Sequence, residues 1–247
     1  MVFFNLGLAG KKGEEPPSIP KHIVIIPDGN RRWARARKVP QLEGHRQGID
    51  LLRKVMEWAR RRGVKTITFW GLSLENLNRG QGEIGSLLGL FEHKFEELKN
   101  HSALHEEKVR VRFFGRLDKL TPKLRDKIKE VEEETKGYTN YNVNILLSYG
   151  GRQELVDACN KAIADVKAGR ISAVNEKKLG EYMYLSGQDD PDLIIRTSGE
   201  KRLSGILPWE SGYSELYFCD KLWPDFSEGD FDAALKEFSS RKRRFGK

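Results

Sequence analysis

The chain reads as a single α/β domain with a central, mostly parallel six-stranded sheet flanked by helices. Six apolar runs of strand length recur along its 247 residues, separated by segments with apolar residues every three or four positions. No internal repeat and no shift of composition marks a second domain. Strands alternating with helices favour parallel pairing, because a parallel pair needs a long crossover and a helix supplies it.

Residues 1–21 read as an N-terminal arm and linker, and 22–247 as the folded domain. Phe3, Phe4, Leu6 and Leu8 either fold onto the body, the favoured reading, or touch a membrane or the mouth of an apolar tunnel. The stretch lacks the basic start of a signal peptide. Lys11 to Lys21 is polar and proline-rich, as linkers are. Ile23–Ile26 is the first strand. Leu51, Leu52, Val55, Met56 and Ala59 then share a helix face that Gly63 closes. Strand Thr66–Trp70 is followed by a longer helix carrying Ile84, Leu87, Leu88, Phe91, Phe95 and Leu98. His101 and His105 have helical spacing but no third metal ligand, and read as a surface helix end. Val109–Phe114 is the third strand, and Thr121-Pro122 starts the next helix, since proline suits the first helical position. Strand Val143–Leu147, helix Arg152–Lys167, strands Leu193–Ile195 and Leu216–Phe218, and helix Asp230–Arg241 complete the order.

A net charge of +8 and a pI near 9.4 call for an anionic partner. Nucleic acid, phosphorylated metabolites and an acidic membrane all fit. The excess gathers at Arg31, Arg32, Arg35, Arg37 and Lys38 and at Arg241 to Arg244. Apart from Trp33, aromatic residues do not interleave with the first cluster, which argues against nucleic acid. Cys159 and Cys219 stand without a C-x-x-C or paired histidines and read as buried apolar residues of a reducing, cytoplasmic setting. No apolar run approaches the roughly 20 residues that span a bilayer. Neither G-x-G-x-x-G after a strand nor a P-loop is present, so nucleotide readings lose their support.

Ligands of open α/β sheets bind beyond the carboxyl ends of strands, and four such ends are polar here. They are Asp28-Gly29-Asn30, Ser73-Leu74-Glu75-Asn76, Ser148 to Arg152, and Arg196-Thr197-Ser198-Gly199. A lone carboxylate at Asp28 suits Mg²⁺, which keeps waters and takes phosphate oxygens as further ligands. Arg32, Arg79, Arg196 and Arg202 are candidates for diphosphate, which guanidinium pairs bidentately. Ser204 and Glu215 extend that group, and Glu215 amid Tyr213 and Tyr217 needs an arginine or a metal beside it.

These segments resemble the cis-prenyltransferases, the undecaprenyl and dehydrodolichyl diphosphate synthase family. The likeness spans Pro20 to Gly246. It rests on H-x-x-x-I-x-D-G-N-x-R-W-A from His22, G-H-x-x-G at Gly44 to Gly48, S-x-E-N-x-N-R at Ser73 to Arg79, Tyr149-Gly150-Gly151-Arg152, and the long segment Asp192 to Phe218. The resemblance implies condensation of isopentenyl diphosphate onto an allylic primer, farnesyl or geranylgeranyl diphosphate, with each new double bond cis. The product would be a polyprenyl diphosphate serving a glycosyl carrier lipid. By the same resemblance Asp28 holds Mg²⁺, while Gly29, Asn30, Arg31, Arg32, Trp33, His45 and Arg79 cradle the primer. Glu75, Asn76 and Leu77 line the substrate site, Arg196, Arg202 and Ser204 hold isopentenyl diphosphate, and Glu215 helps place metal. Asn30 and Ser73 stand near the reacting carbons and assist proton removal. Arg244-Phe245-Gly246 matches a tail that reaches a neighbouring active site, which implies a homodimer. An apolar tunnel, walled by the Leu51–Ala59 and Ile84–Leu98 helices, is implied for the product, with transient membrane contact on its release.

The chain departs from the family pattern at Gln41, where arginine is common, at Leu77 and Gly80, which replace tryptophan and proline, and at Leu146 and Leu147, where smaller residues are usual. These positions leave room for a short product, for condensation other than head-to-tail, or for a subunit of a heteromeric enzyme. Such subunits typically lose the aspartate and arginines that this chain keeps. The D-G-N-R-R form is similar to archaeal and eukaryotic members.

Overall fold

A computed structural model describes residues 18–78 and 80–241, apart from the Gln81 side chain. In order, the elements are β1 (His22–Ile26), α1 (Asn30–Ala36), α2 (Gln41–Arg61), β2 (Thr66–Trp70), α3 (Gln81–Lys99), α4 (Ser102–Glu106) and β3 (Val109–Phe114), then α5 (Pro122–Thr135), β4 (Tyr141–Leu146), α6 (Gly151–Lys167), α7 (Glu176–Gly180), β5 (Leu193–Arg196), β6 (Glu215–Phe218) and α8 (Glu228–Ser240). Six strands form an all-parallel sheet in the order β3-β4-β2-β1-β5-β6. Each strand foreseen from the apolar runs is present, with ends within two residues.

The described residues fall in two compact units, one drawn from 18–67, 191–201 and 215–241, the other from 68–190 and 202–214. In the first unit β5 pairs in parallel with β1 on one side and β6 on the other. All residues of β1 and β5 are buried, as expected of parallel strands covered on both faces, whereas β6 is half-buried at the edge. Arg62, at the end of α2, ties α8 down by donating to Asp232 and, at 2.7 Å, to Glu228.

In the second unit β3 pairs with β4 over six residues, and α5 packs against β3. Thr121 caps α5 by accepting from Leu124 N–H at 3.2 Å, with Pro122 at the first helical position. The apolar run starts β4 at Val143, but the strand begins at Tyr141. Buried Asn144 interrupts that run, and its amide donates to Thr68 Oγ1 (3.0 Å) and Gln188 Oε1 (2.8 Å). Cys159 corrects the expectation for cysteines: it is exposed on α6, while Cys219 is buried. No helix among the described residues is long and apolar enough to cross a membrane.

Thr121→Ala removes the α5 cap and should cost about 1 kcal/mol, lowering Tm by about 2–4 °C for a chain of this size. A thermal melt followed by circular dichroism checks it, and an unchanged Tm would show that packing alone holds the end of α5.

Candidate active site

In the first unit the ends of β1 and β5 lie side by side, with Ile26 in register with Arg196. The Arg196 side chain is 5% exposed and donates from Nη2 to Asp28 Oδ2 at 2.8 Å. Arg32, on α1, reaches to 3.5 Å from the other Asp28 oxygen. It also donates to the Ser198 hydroxyl, to Ser198 O at 3.2 Å and to Glu200 at 3.2 Å. Two guanidiniums from separate segments therefore meet at one carboxylate beyond the strand ends.

Backbone bonds fix this arrangement. The Asp28 carbonyl accepts from the Thr197 hydroxyl at 2.7 Å and from Trp223 N–H at 3.0 Å. Gly29 has φ +112°, and a Cβ there would lie 3.0 Å from Leu222, so glycine is needed on both counts. Ser198 holds φ +81°, a conformation that costs a non-glycine residue about 1–2 kcal/mol. Its N–H donates to Lys221 O at 2.6 Å, and Arg32 takes its carbonyl and hydroxyl. The turn is thus clamped from both sides.

The G-H-x-x-G segment lies in the first turns of α2, which begins ten residues before the apolar spacing does. A Cβ on Gly44 would fall 2.3 Å from Asn30 O, and one on Gly48 would fall 2.3 Å from Asn30 Oδ1. The glycines let α2 lie against the Asn30 turn, and Trp223 Nε1 closes the contact on Gly48 O at 2.8 Å. The Asn30 amide is turned inward, its Nδ2 donating to Pro27 O at 3.2 Å. His45 is half-buried between those glycines. Arg31 donates to Gln41 at 3.0 Å, and Trp33 donates to Asp225 at 2.9 Å beneath the Arg37 guanidinium.

In the second unit a cavity of about 740 Å³ is lined by Trp70, Ser73, Leu74, Glu75, Gly150, Gly151, Arg152, Gln153, Ser204 and Gly205. Ser73 bridges Tyr149 in parallel, and its hydroxyl accepts from Asn76 N–H at 3.2 Å. Asn76 and Leu77 continue the short turn Glu75–Asn78. Arg202 and Ser204 are exposed on the turn that supplies one edge of this cavity.

Asp28 and Glu215, both assigned to metal, do not come together within the chain. Glu215 is in register with Leu193, which is level with Ile23, whereas Asp28 lies past Ile26. That is at least about 10 Å along the strand direction. Glu215 instead meets Arg241 at 2.6 Å, the arginine that its position demanded. No cluster of three or more histidine, cysteine or acidic side chains stands ready for a metal among the described residues. Arg79, Arg244 and Gly246 lie outside the described residues.

The undecaprenyl diphosphate synthase family model matches residues 26–246. The chain belongs to that family. It is 46% identical to the tritrans,polycis-undecaprenyl-diphosphate synthase (geranylgeranyl-diphosphate specific) of Methanopyrus kandleri, over 93% of this chain and 85% of that one. It is 43% identical to the isoprenyl transferase of Thermotoga maritima, over 92% and 97%. Among solved structures, lavandulyl diphosphate synthase from Lavandula x intermedia with dimethylallyl diphosphate superposes with a TM-score of 0.89 at 31% identity, covering 93% of this chain and 99% of that chain. The chain is a prenyl transferase that builds cis-prenyl chains on an allylic diphosphate primer.

Sequence reasoning marked the charged groups but missed Trp223 and Leu222, which seat the Asp28 turn. The only signal for them was an apolar pair beside proline in Leu222-Trp223-Pro224. It also left Glu154 and Glu210 unmarked, two acids that are buried in the second unit.

Gly48→Ala should push the Asn30 turn outward, since its methyl would also fall 2.9 Å from the Trp223 ring. Overpacking of this kind costs about 1–3 kcal/mol. Turnover should fall at least about tenfold, because the displaced turn carries Asp28. Steady-state kinetics beside a thermal melt checks this, and full activity would show that the turn tolerates the shift.

Proposed function

We propose that Asp28, Arg32 and Arg196 bind and activate the diphosphate of the allylic primer, with Mg²⁺ held by Asp28. The convergence of two guanidiniums on one carboxylate at the strand ends carries this reading. A single hard oxygen donor, about one-third exposed, fits a Mg²⁺ ion whose other ligands are diphosphate oxygens and water. Bound there, the metal would neutralise charge on the departing diphosphate. Arg32 and Arg196 supply positive charge at the same turn, where it would stabilise the negative charge that develops as the carbon–oxygen bond breaks. Arg196 also keeps the isopentenyl diphosphate role that the resemblance gives it.

Arg202 and Ser204 are proposed to bind the diphosphate of isopentenyl diphosphate, supported by their exposure on one turn at the edge of a cavity. Ser73, which lines that cavity, is the better candidate for assisting proton removal, because the Asn30 amide is engaged inward. Geranylgeranyl diphosphate is proposed as primer by analogy with the Methanopyrus kandleri enzyme, and a glycosyl carrier lipid as the destination of the product. Residues 22–247 are proposed as one catalytic domain preceded by an arm, with transient membrane contact on product release.

A homodimer is proposed as the working form. Its support is a stripe on α6: Val156 (51% exposed), Cys159, Ile163 (50%) and Val166 (39%) follow the spacing of a helix–helix seam. Apolar stripes of this kind mark interfaces, and a second copy would present the same stripe about a two-fold axis. Ile163→Glu should therefore give a monomer by light scattering, and a dimer of unchanged stability would exclude α6 from the interface.

Asp28→Asn should nearly abolish turnover at any Mg²⁺ concentration while keeping an acceptor for the buried Arg196. Asp28→Ala should in addition lower Tm, since a stranded guanidinium is costly. Turnover of Asp28→Asn within about threefold of the parent would overturn the assignment. Arg202→Ala should raise the KM for isopentenyl diphosphate about ten- to hundredfold, the size of a lost charge-assisted pair, and leave the primer KM closer to its original value. Equal effects on both substrates would show that the two diphosphates are assigned wrongly.

A further inference from the structure

The turn that carries Arg202 and Ser204 is held in an uncommon conformation. Ser204, Gly205 and Leu207 have φ of +53°, +82° and +43°, so two of the three are non-glycine residues in the left-handed region. Leu207 is fully buried there. Such a backbone persists only where its surroundings over-determine it. Two contacts do so. The Leu207 N–H donates to Tyr149 Oη at 2.9 Å. Gly151, at the start of α6, lets the turn press close, since a Cβ there would fall 2.1 Å from Gly205 O and 2.4 Å from Pro208.

Tyr149 is itself held. It is fully buried and its hydroxyl donates to Glu154, which is 1% exposed and also accepts from Tyr184 N–H at 2.8 Å. Beside Glu154 stands Glu210, 6% exposed, in the short helical turn Glu210–Tyr213 that follows the Leu207 segment. Neither Glu210 carboxylate oxygen has a well-formed hydrogen bond among the described residues. Two buried carboxylates side by side repel when both are ionised, whereas one shared proton turns the pair into a donor and an acceptor.

We propose that Tyr149, Glu154 and Glu210 are positioning residues: with one proton shared between the glutamates, they latch the Arg202–Leu207 turn in the shape that binds isopentenyl diphosphate. This rests on the assignment of Arg202 and Ser204 to that substrate. Burial and the neighbouring Glu154 push the Glu210 carboxyl up to about 8, and burial raises Glu154 as well. The charged groups around the pair are Asp190 near Glu210, and Lys161 and Asp157 on α6 near Glu154. The Tyr149 and Tyr184 phenols also face Glu154, and burial moves both further from ionisation. The hydrogen bonds from the Tyr149 hydroxyl and the Tyr184 N–H, together with Lys161, favour ionisation of Glu154, whereas burial and Asp157 oppose it. When the shared proton leaves, the two buried carboxylates repel and the latch opens.

The direction with pH follows. The folded chain binds this proton more tightly than the unfolded chain, whose glutamates titrate near 4.5. The contribution to stability is complete below about 4.5 and is lost as pH rises through about 8. The KM for isopentenyl diphosphate should be flat from pH 6 to 7 and rise about tenfold by pH 9, as the latched fraction falls. The primer KM should change much less. Glu210→Gln removes the ionisation and should flatten that rise. It should also raise Tm relative to the parent at pH 9 but not at pH 5. Tyr149→Phe, which deletes the acceptor for Leu207 N–H, should raise the isopentenyl diphosphate KM at every pH.

The experiment is steady-state kinetics of the full-length chain from pH 6 to 9, varying each substrate in turn, for the parent, Glu210→Gln, Tyr149→Phe and Arg202→Ala. A flat parent profile overturns the latch whatever the variants do. A Glu210→Gln profile that rises as the parent's does overturns it too. Arg202→Ala with an unchanged isopentenyl diphosphate KM overturns instead the site assignment beneath it, so the two failures are told apart.

Discussion

Arg196 brings a guanidinium to the buried end of β5, and a charge there needs a counter-charge within reach, because water cannot solvate it. The parallel register of β1 and β5 supplies one. With Ile26 beside Arg196, the residues that follow β1 turn over the arginine, and Asp28 is the acid among them. The pair then dictates its surroundings. Thr197 and Trp223 hold the Asp28 carbonyl, Ser198 is forced into the left-handed region, and Arg32 closes the turn from α1. Under the proposed reading, the arrangement that neutralises a structural charge is also the one that binds diphosphate.

Close approach of backbone is the second requirement, and glycine meets it. Gly29 serves the turn itself, while Gly44 and Gly48 bring α2 to within contact of Asn30 where any Cβ would collide. A motif that reads as a ligand site in sequence acts here first as a packing device. It also explains why α2 extends ten residues ahead of its apolar spacing: its first three turns bury glycine instead of leucine.

The second unit deals with buried charge differently. Among the described residues Glu154 and Glu210 form no ion pair with a guanidinium; a tyrosine hydroxyl donates to Glu154, and the proposed latch adds a proton shared between the two acids. Under the proposed latch, such a proton-neutralised pair is sensitive to pH as the shared proton leaves.

The order of the strands and of the five longer helices, the mostly parallel sheet and the polar strand ends were legible in the chain, because apolar periodicity and capping are local properties. The short helices α1, α4 and α7 carry too few apolar residues to show a period. Thr121-Pro122 and the break at Gly63 act within a few residues of their own position. The family was legible as well, since its motifs are long and ordered. Which charges meet was not. That Arg32 reaches Ser198, that Glu215 faces Arg241 at the far end of the strand from Asp28, and that Glu154 lies beside Glu210 depend on contacts between residues 26 to 166 positions apart or on a side chain's direction. Cys159 was misjudged for the same reason, as burial depends on which face of α6 turns outward. Sequence alone determined the elements and the chemistry available at their ends. Tertiary structure decided which of those groups share a site, because register and helix docking are set by packing across the whole chain.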